Sequence, residues 1–128
     1  MRAASADDRI SRLRQMLAKL RDEMAGGLNA FMRCGPLIRG SVYELRRRCG
    51  KPTCICASGK KLHSCMVITW TDAGRKRLRS LSPKEEMDFT RLTEDYRRFR
   101  RARARVVELH SKLLGVVDQL EAALCRKP

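Results

Sequence analysis

Cys49, Cys54 and Cys56 stand at C-x4-C-x-C spacing, and His63 and Cys65 follow within the next nine residues. Zinc takes four thiolate or imidazole ligands in a tetrahedron, so five candidates compete for four places. Gly50 and Pro52 turn the chain between the first two cysteines, letting both sulfurs face one point. Cys54 and Cys56, two apart, point the same way where the backbone is extended. The loop "ASGKKL" then brings back His63 or Cys65 as the fourth ligand. The favoured set is Cys49, Cys54, Cys56 and His63, with Cys65 the rival for the last place. A closed set of four leaves no position for water, so the expected zinc is structural. The spacing is not the paired C-x2-C of zinc ribbons, and ordinary reduced cysteines are the plain alternative. No C-x-x-C is present, which places a redox role lower still.

Cations surround these ligands. Arg46, Arg47, Arg48, Lys51, Lys60 and Lys61 would favour the thiolate form and offer phosphate contacts on the rim of the loop. Further on, "YRRFRRARARVVELH" supplies Arg97, Arg98, Arg100, Arg101 and Arg105, and "GRKRLRS" supplies Arg75, Lys76, Arg77 and Arg79. The chain holds 29 Lys and Arg against 14 Asp and Glu, a net charge of +15 that is drawn to polyanions. Nucleic acid is the commonest of these, although an anionic membrane surface or an acidic protein obeys the same physics. Phosphate contacts should dominate, with little reading of base sequence. Aromatics make up only 5% of the chain and are too scattered for a stacking platform. No pair of carboxylates, Ser/His/Asp set or phosphate-cradling glycine loop is visible, so the chain is not expected to be an enzyme.

The elements that position these residues are mostly helical. Ser5 or Asp7 caps a first helix, whose seam runs through Ile10, Leu13, Leu17, Leu20 and Met24. Gly26 and Gly27 weaken it, Leu28 and Phe31 extend the seam, and Pro36 forbids continuation. "GSVYELRRRCG" reads as a short strand, "CMVITWT" as the best strand in the chain, and "RKRLRSLS" as its hairpin partner across "TDAG". Ser82, Pro83 and Glu85 form a capping box that starts a long helix. Its 3-4 alternation passes Phe89, Leu92, Tyr96, Phe99, Arg103, Val106, His110, Leu113, Val117, Leu120 and Leu124. Arg103 and His110 are then polar seam residues that fix register, and Gly115 marks a kink or close crossing.

The expected fold class is α+β, with long coiled-coil-like terminal helices flanking a small zinc-stapled β-hairpin unit. The segments are 1–34 for the first helix, 35–82 for the hairpin unit and 83–128 for the basic helix. A rod of about 63 Å outruns the first helix, so a homodimer or a docking site on a larger assembly is expected. No apolar run is long enough to span a bilayer, and "MRAASADDRISRL" lacks an apolar leader, so a cytoplasmic protein with no membrane partner is expected.

"RGSVYELRRRCGKPTCICASGKKLH", the hairpin, "SPKE" and "DYRRFRRARARVVELHSKLL" resemble a family of small, uncharacterised bacterial and archaeal proteins. That family carries C-G-K-P-x-C-x-C, a basic loop, a His, a hairpin and a Y-R-R-F-like helix. The resemblance runs from about Arg39 to Leu114 and carries over to Gly40, Cys49, Gly50, Lys51, Pro52, Cys54, Cys56 and His63. It offers no established activity, but it implies an association with mobile elements. The chain departs from the pattern after His63, where Ser64, Cys65 and Met66 replace Gly-Pro-aromatic, which bears on the choice of fourth ligand. The combined expectation is a nucleic-acid-binding accessory protein with a structural zinc site, DNA before RNA as its target. Its partner would be a DNA-handling protein such as a recombinase or transposase. The alternatives are a helical adaptor on a protein assembly and an RNA-binding subunit of a ribonucleoprotein.

Overall fold

A computed structural model describes residues 5–128; the first four residues of the expected segment 1–34 lie outside it. Helix α1 runs Ala6–Met32 and starts on a reciprocal capping box. The Asp8 amide donates to Ser5 Oγ at 3.1 Å, and the Ser5 amide donates to Asp8 Oδ2 at 3.3 Å. Helix α2 runs Pro83–Leu124 and uses the same device: the Glu85 amide donates to Ser82 Oγ and the Ser82 amide to Glu85 Oε1, each at 3.2 Å. Both starts satisfy amides that have no partner inside the helix. Among the described residues no helix is long and apolar enough to cross a membrane.

The chain divides into two compact units, Met1–Cys34 with Phe99–Pro128, and Gly35–Arg98. In the first unit, α1 buries Leu13 while α2 buries Leu109 and Val116. The Phe31 ring meets Phe99 edge-on at 5.0 Å, and Arg105 reaches Glu23 at 3.1 Å. The observed α2 seam passes Phe99, Ala102, Val106, Leu109, Leu113, Val116, Leu120 and Ala123. This corrects the expected seam, because Arg103 and His110 are exposed. Both candidate stripes alternate by three and four, and the one chosen buries Leu109 while leaving the polar groups in water. A similar one-residue exchange occurs on α1. Gly27 occupies the seam, with a hypothetical Cβ only 3.7 Å from Val106, while Leu28 is exposed. Gly115 lies inside α2 without ending it.

The second unit holds an antiparallel sheet of order β1-β2-β3, with β1 at Ser41–Arg47, β2 at His63–Asp72 and β3 at Arg75–Ser80. The short strand expected before the cysteines is therefore a full partner of β2, pairing Val42 with Ile68 and Arg47 with His63. Val67 and Ile68, at the middle of the central strand, are buried. Asp72 and Arg75 flank a two-residue turn, Ala73 and Gly74, both at positive φ as a type I′ hairpin requires. Arg79 ties β3 to α2: its guanidinium bonds Glu85 at 2.8 Å and lies 5.3 Å from the centre of the Phe89 ring. The Ile38 amide donates to the Leu92 carbonyl at 3.2 Å. Two long helices with an intervening antiparallel sheet make the fold α+β, as expected.

Candidate metal centre

Strand register sets the centre. Arg47 pairs with His63, so Cys49, two residues beyond the end of β1, emerges beside the start of β2. Gly50 takes φ 86°, and Pro52 follows at the second position of a turn closed by the Cys54 amide on the Lys51 carbonyl at 3.1 Å. Cys54 is extended and caps a short 3-10 helix, Ile55–Ser58, that carries Cys56. The expected extended Cys54–Cys56 segment is thus replaced at Cys56 by a tight turn. Gly59 ends that turn at φ 80°, with the Arg48 guanidinium 3.0 Å from where a Cβ would stand. A side chain at position 59 meets both obstacles.

The Sγ atoms of Cys49, Cys54 and Cys56 and a ring nitrogen of His63 all lie within 4.8 Å of one another. Cys54 Sγ is 3.2 Å from His63 Nε2, and Cys56 Sγ is 3.4 Å from Cys49 Sγ. Bond lengths of about 2.3 Å to sulfur and about 2.0 Å to nitrogen give a tetrahedron with edges of about 3.5–3.8 Å. The cluster matches that size within small side-chain rotations, so it is compatible with a metal site. Cys56 is buried, Cys54 is half-buried, and Cys49 and His63 face solvent. Cys65 stays outside the cluster. It lies two residues farther along β2, about 6–7 Å, opposite Leu45.

The electrostatics favour a thiolate at the middle of the set. The Cys56 backbone N–H, with the His63 ring and the neighbouring thiols, holds Cys54 down to about 6 from the ordinary 9.0. For Cys56 the Cys49 backbone N–H favours the thiolate, but burial and the adjacent Cys49 and Cys54 thiols outweigh it and push the group up. The Cys49 amide also donates to Cys56 Sγ at 3.3 Å. Such N–H···S contacts orient the sulfurs that would bind a metal.

The basic residues fall into two sets. Arg46 pairs with Glu44, Arg79 with Glu85, Arg98 with Asp95, and Arg105 with both Glu23 and Glu108. Arg47, Arg48, Lys51, Lys60, Lys61, Arg75, Lys76, Arg77, Arg97, Arg100 and Arg101 are exposed. None of these has a carboxylate within ion-pair distance among the described residues. Arg103 joins this set, having been assigned to the seam from periodicity alone. Arg39, which has no neighbouring basic run to draw attention to it, is likewise exposed and unpaired among the described residues.

No curated protein and no solved structure matches the chain. A family model described as a domain of unknown function, DUF6788, matches residues 6–91. The matched region takes in α1, which the sequence resemblance left outside, and ends before the Y-R-R-F segment. It includes every cysteine of the cluster and His63. The chain belongs to this uncharacterised DUF6788 family.

Proposed function

We propose that the chain is a nucleic-acid-binding accessory protein, with DNA before RNA as its target, held in shape by structural zinc on Cys49, Cys54, Cys56 and His63. The observation that carries this reading is the surplus of cations. The net charge is +15, and Lys60, Lys61, Arg100, Arg101 and Arg103 have no carboxylate partner among the described residues. Unrelieved repulsion of this size is lowered by a polyanion, and phosphate contacts provide that without reading sequence. Zinc suits the donor set because three thiols and one imidazole are its usual closed structural environment. The metal folds the loop that carries Arg48, Lys51, Lys60 and Lys61 and takes no part in chemistry, in keeping with a protein that is not an enzyme. The free thiols fit a reducing compartment such as the cytoplasm. A recombinase or transposase is the kind of partner such an accessory would serve.

Fluorescence anisotropy of labelled duplex and single-stranded DNA and RNA over a salt series tests the proposal. Affinity should fall steeply as salt rises and vary little with sequence. Retention on DNA or heparin that vanishes well below physiological salt would reject it.

The adaptor reading is favoured by a separate observation. Val107, Leu114, Val117 and Leu124 are exposed and recur every seven or three residues on α2, a stripe distinct from the seam against α1. Such a stripe suits a second copy of the helix, so the proposed assembly is a homodimer or a docked subunit. Sedimentation equilibrium of wild type and Leu114→Glu separates the cases. A dimer broken by the substitution supports self-association, and a concentration-independent monomer rejects it.

A further inference from the structure

In the unit Gly35–Arg98 a cleft of about 520 Å³ opens between the start of β1, the β2–β3 hairpin and α2. Its size is that of a small-ligand cleft, roughly 300–1,000 Å³, and is too small for a duplex. Three cations line it: Arg39, Lys76 and Arg97. None has a carboxylate within ion-pair distance among the described residues. Two aromatics, Trp70 and Tyr96, line the same cleft and are half-buried, so part of each ring is free.

The backbone explains why these distant residues meet. A Cβ at Gly40 would stand 2.8 Å from the Thr69 carbonyl, so the chain lies directly against β2 there and brings Arg39 into the cleft lining. Lys76 pairs with Thr71, one residue from Trp70. The Ile38–Leu92 hydrogen bond fixes the approach to Arg39 against α2, and Tyr96 stands one helical turn beyond Leu92.

We infer that this cleft binds one nucleotide unit, its base against Trp70 or Tyr96 and its phosphate among Arg39, Lys76 and Arg97. This rests on and sharpens the nucleic-acid reading, since a strand would insert one nucleotide here while the other cations hold its backbone. A planar ring and an anion side by side are what this lining recognises: the rings supply stacking, which is tolerant of base identity. The cations supply phosphate contacts, with the arginines able to bind two oxygens at once. The sequence alone shows no stacking platform because its two members stand in different elements, on β2 and α2.

Trp70 is the only tryptophan, so its fluorescence reports on the cleft directly. The full chain is titrated with thymidine monophosphate, inorganic phosphate and a decamer of deoxythymidine, while anisotropy of the labelled decamer follows binding anywhere on the protein. The decamer should quench Trp70 and inorganic phosphate should not. Quenching by the mononucleotide as well marks the cleft as open to free nucleotides. Trp70→Leu should weaken the decamer by about tenfold, the size of one base–aromatic stack. K76E/R97E, at two exposed positions, should abolish the quenching of Trp70 by the decamer with the circular dichroism unchanged. Decamer binding without quenching overturns the cleft and leaves the nucleic-acid reading standing. Mononucleotide quenching with no decamer binding does the reverse. Equal quenching by inorganic phosphate also overturns the inference, because no ring would then be stacked.

Discussion

Arg100, Arg101 and Arg103 follow one another on α2, are exposed, and have no carboxylate partner among the described residues, whereas Arg98 and Arg105 are already paired. If phosphate binding is their purpose, their removal has a size that can be worked out. Each phosphate left without its cation lowers the slope of log affinity against log salt by about 0.9 on duplex DNA, so R100Q/R101Q/R103Q should lower it by up to about 2.7. Between 50 and 200 mM salt, a change of about 0.6 in log units, the variant's affinity should fall by up to about 40-fold less than that of wild type. Glutamine is nearly as good a helix former as arginine, so α2 itself should persist. Anisotropy on two unrelated duplexes across that range is the assay, with R98Q/R105Q as the comparison. The paired arginines should change the slope much less. An unchanged slope in the triple variant, or an equal change in the paired one, refutes the idea that unpaired helix cations grip phosphate.

Other consequences test the frame. Leu109 is buried and His110 exposed, so Leu109→Ala should cost about 2–5 kcal/mol in denaturant melts while His110→Ala costs almost nothing; the reverse ranking would restore the polar seam. Gly27→Ala places a methyl at an ordinary 3.7 Å from Val106 inside a helix and should stabilise by about 1 kcal/mol. Gly40→Ala brings the same methyl to 2.8 Å from the Thr69 carbonyl and should lower the melting temperature. The Arg79 guanidinium and the Ser82 backbone N–H hold Glu85 below its ordinary 4.5. A carboxyl held low contributes stability that is complete above its ordinary value and is lost as pH falls through the lowered one. The stability deficit of Glu85→Gln should therefore shrink on acidification below about 4.5, and a deficit that grew would contradict this assignment.

What the sequence made legible was mostly local. Ser82, Pro83 and Glu85 announce α2 because a capping box involves only neighbours. The zinc-like spacing pointed to Cys49, Cys54, Cys56 and His63 because ligand chemistry restricts which residues serve. Choice between stripes was not legible from spacing. From Phe99 onward, Arg103 and His110 fit a 3-4 alternation as well as Ala102 and Leu109 do, so spacing alone does not choose; the signal that does is the apolar character of Ala102 and Leu109, which periodicity passes over. The same ambiguity exchanged Leu28 for Gly27, whose lack of a side chain hides it from any hydrophobic pattern. The sequence favours His63 over Cys65, and the β1–β2 register, which places Arg47 opposite His63, supplies the physical reason that spacing lacks. Arg39 was missed because its importance comes from the cleft, assembled from residues nearly sixty positions apart.

Everything proposed for the basic loop requires that Cys49, Cys54, Cys56 and His63 hold zinc. X-ray absorption at the zinc edge of the purified full chain, with zinc content measured on the same sample, tests this most directly. It should give one zinc per chain, with three sulfurs at about 2.3 Å and one nitrogen at about 2.0–2.1 Å, unchanged in Cys65→Ser. Four sulfurs in wild type, or a chain that folds and carries no zinc, would contradict it.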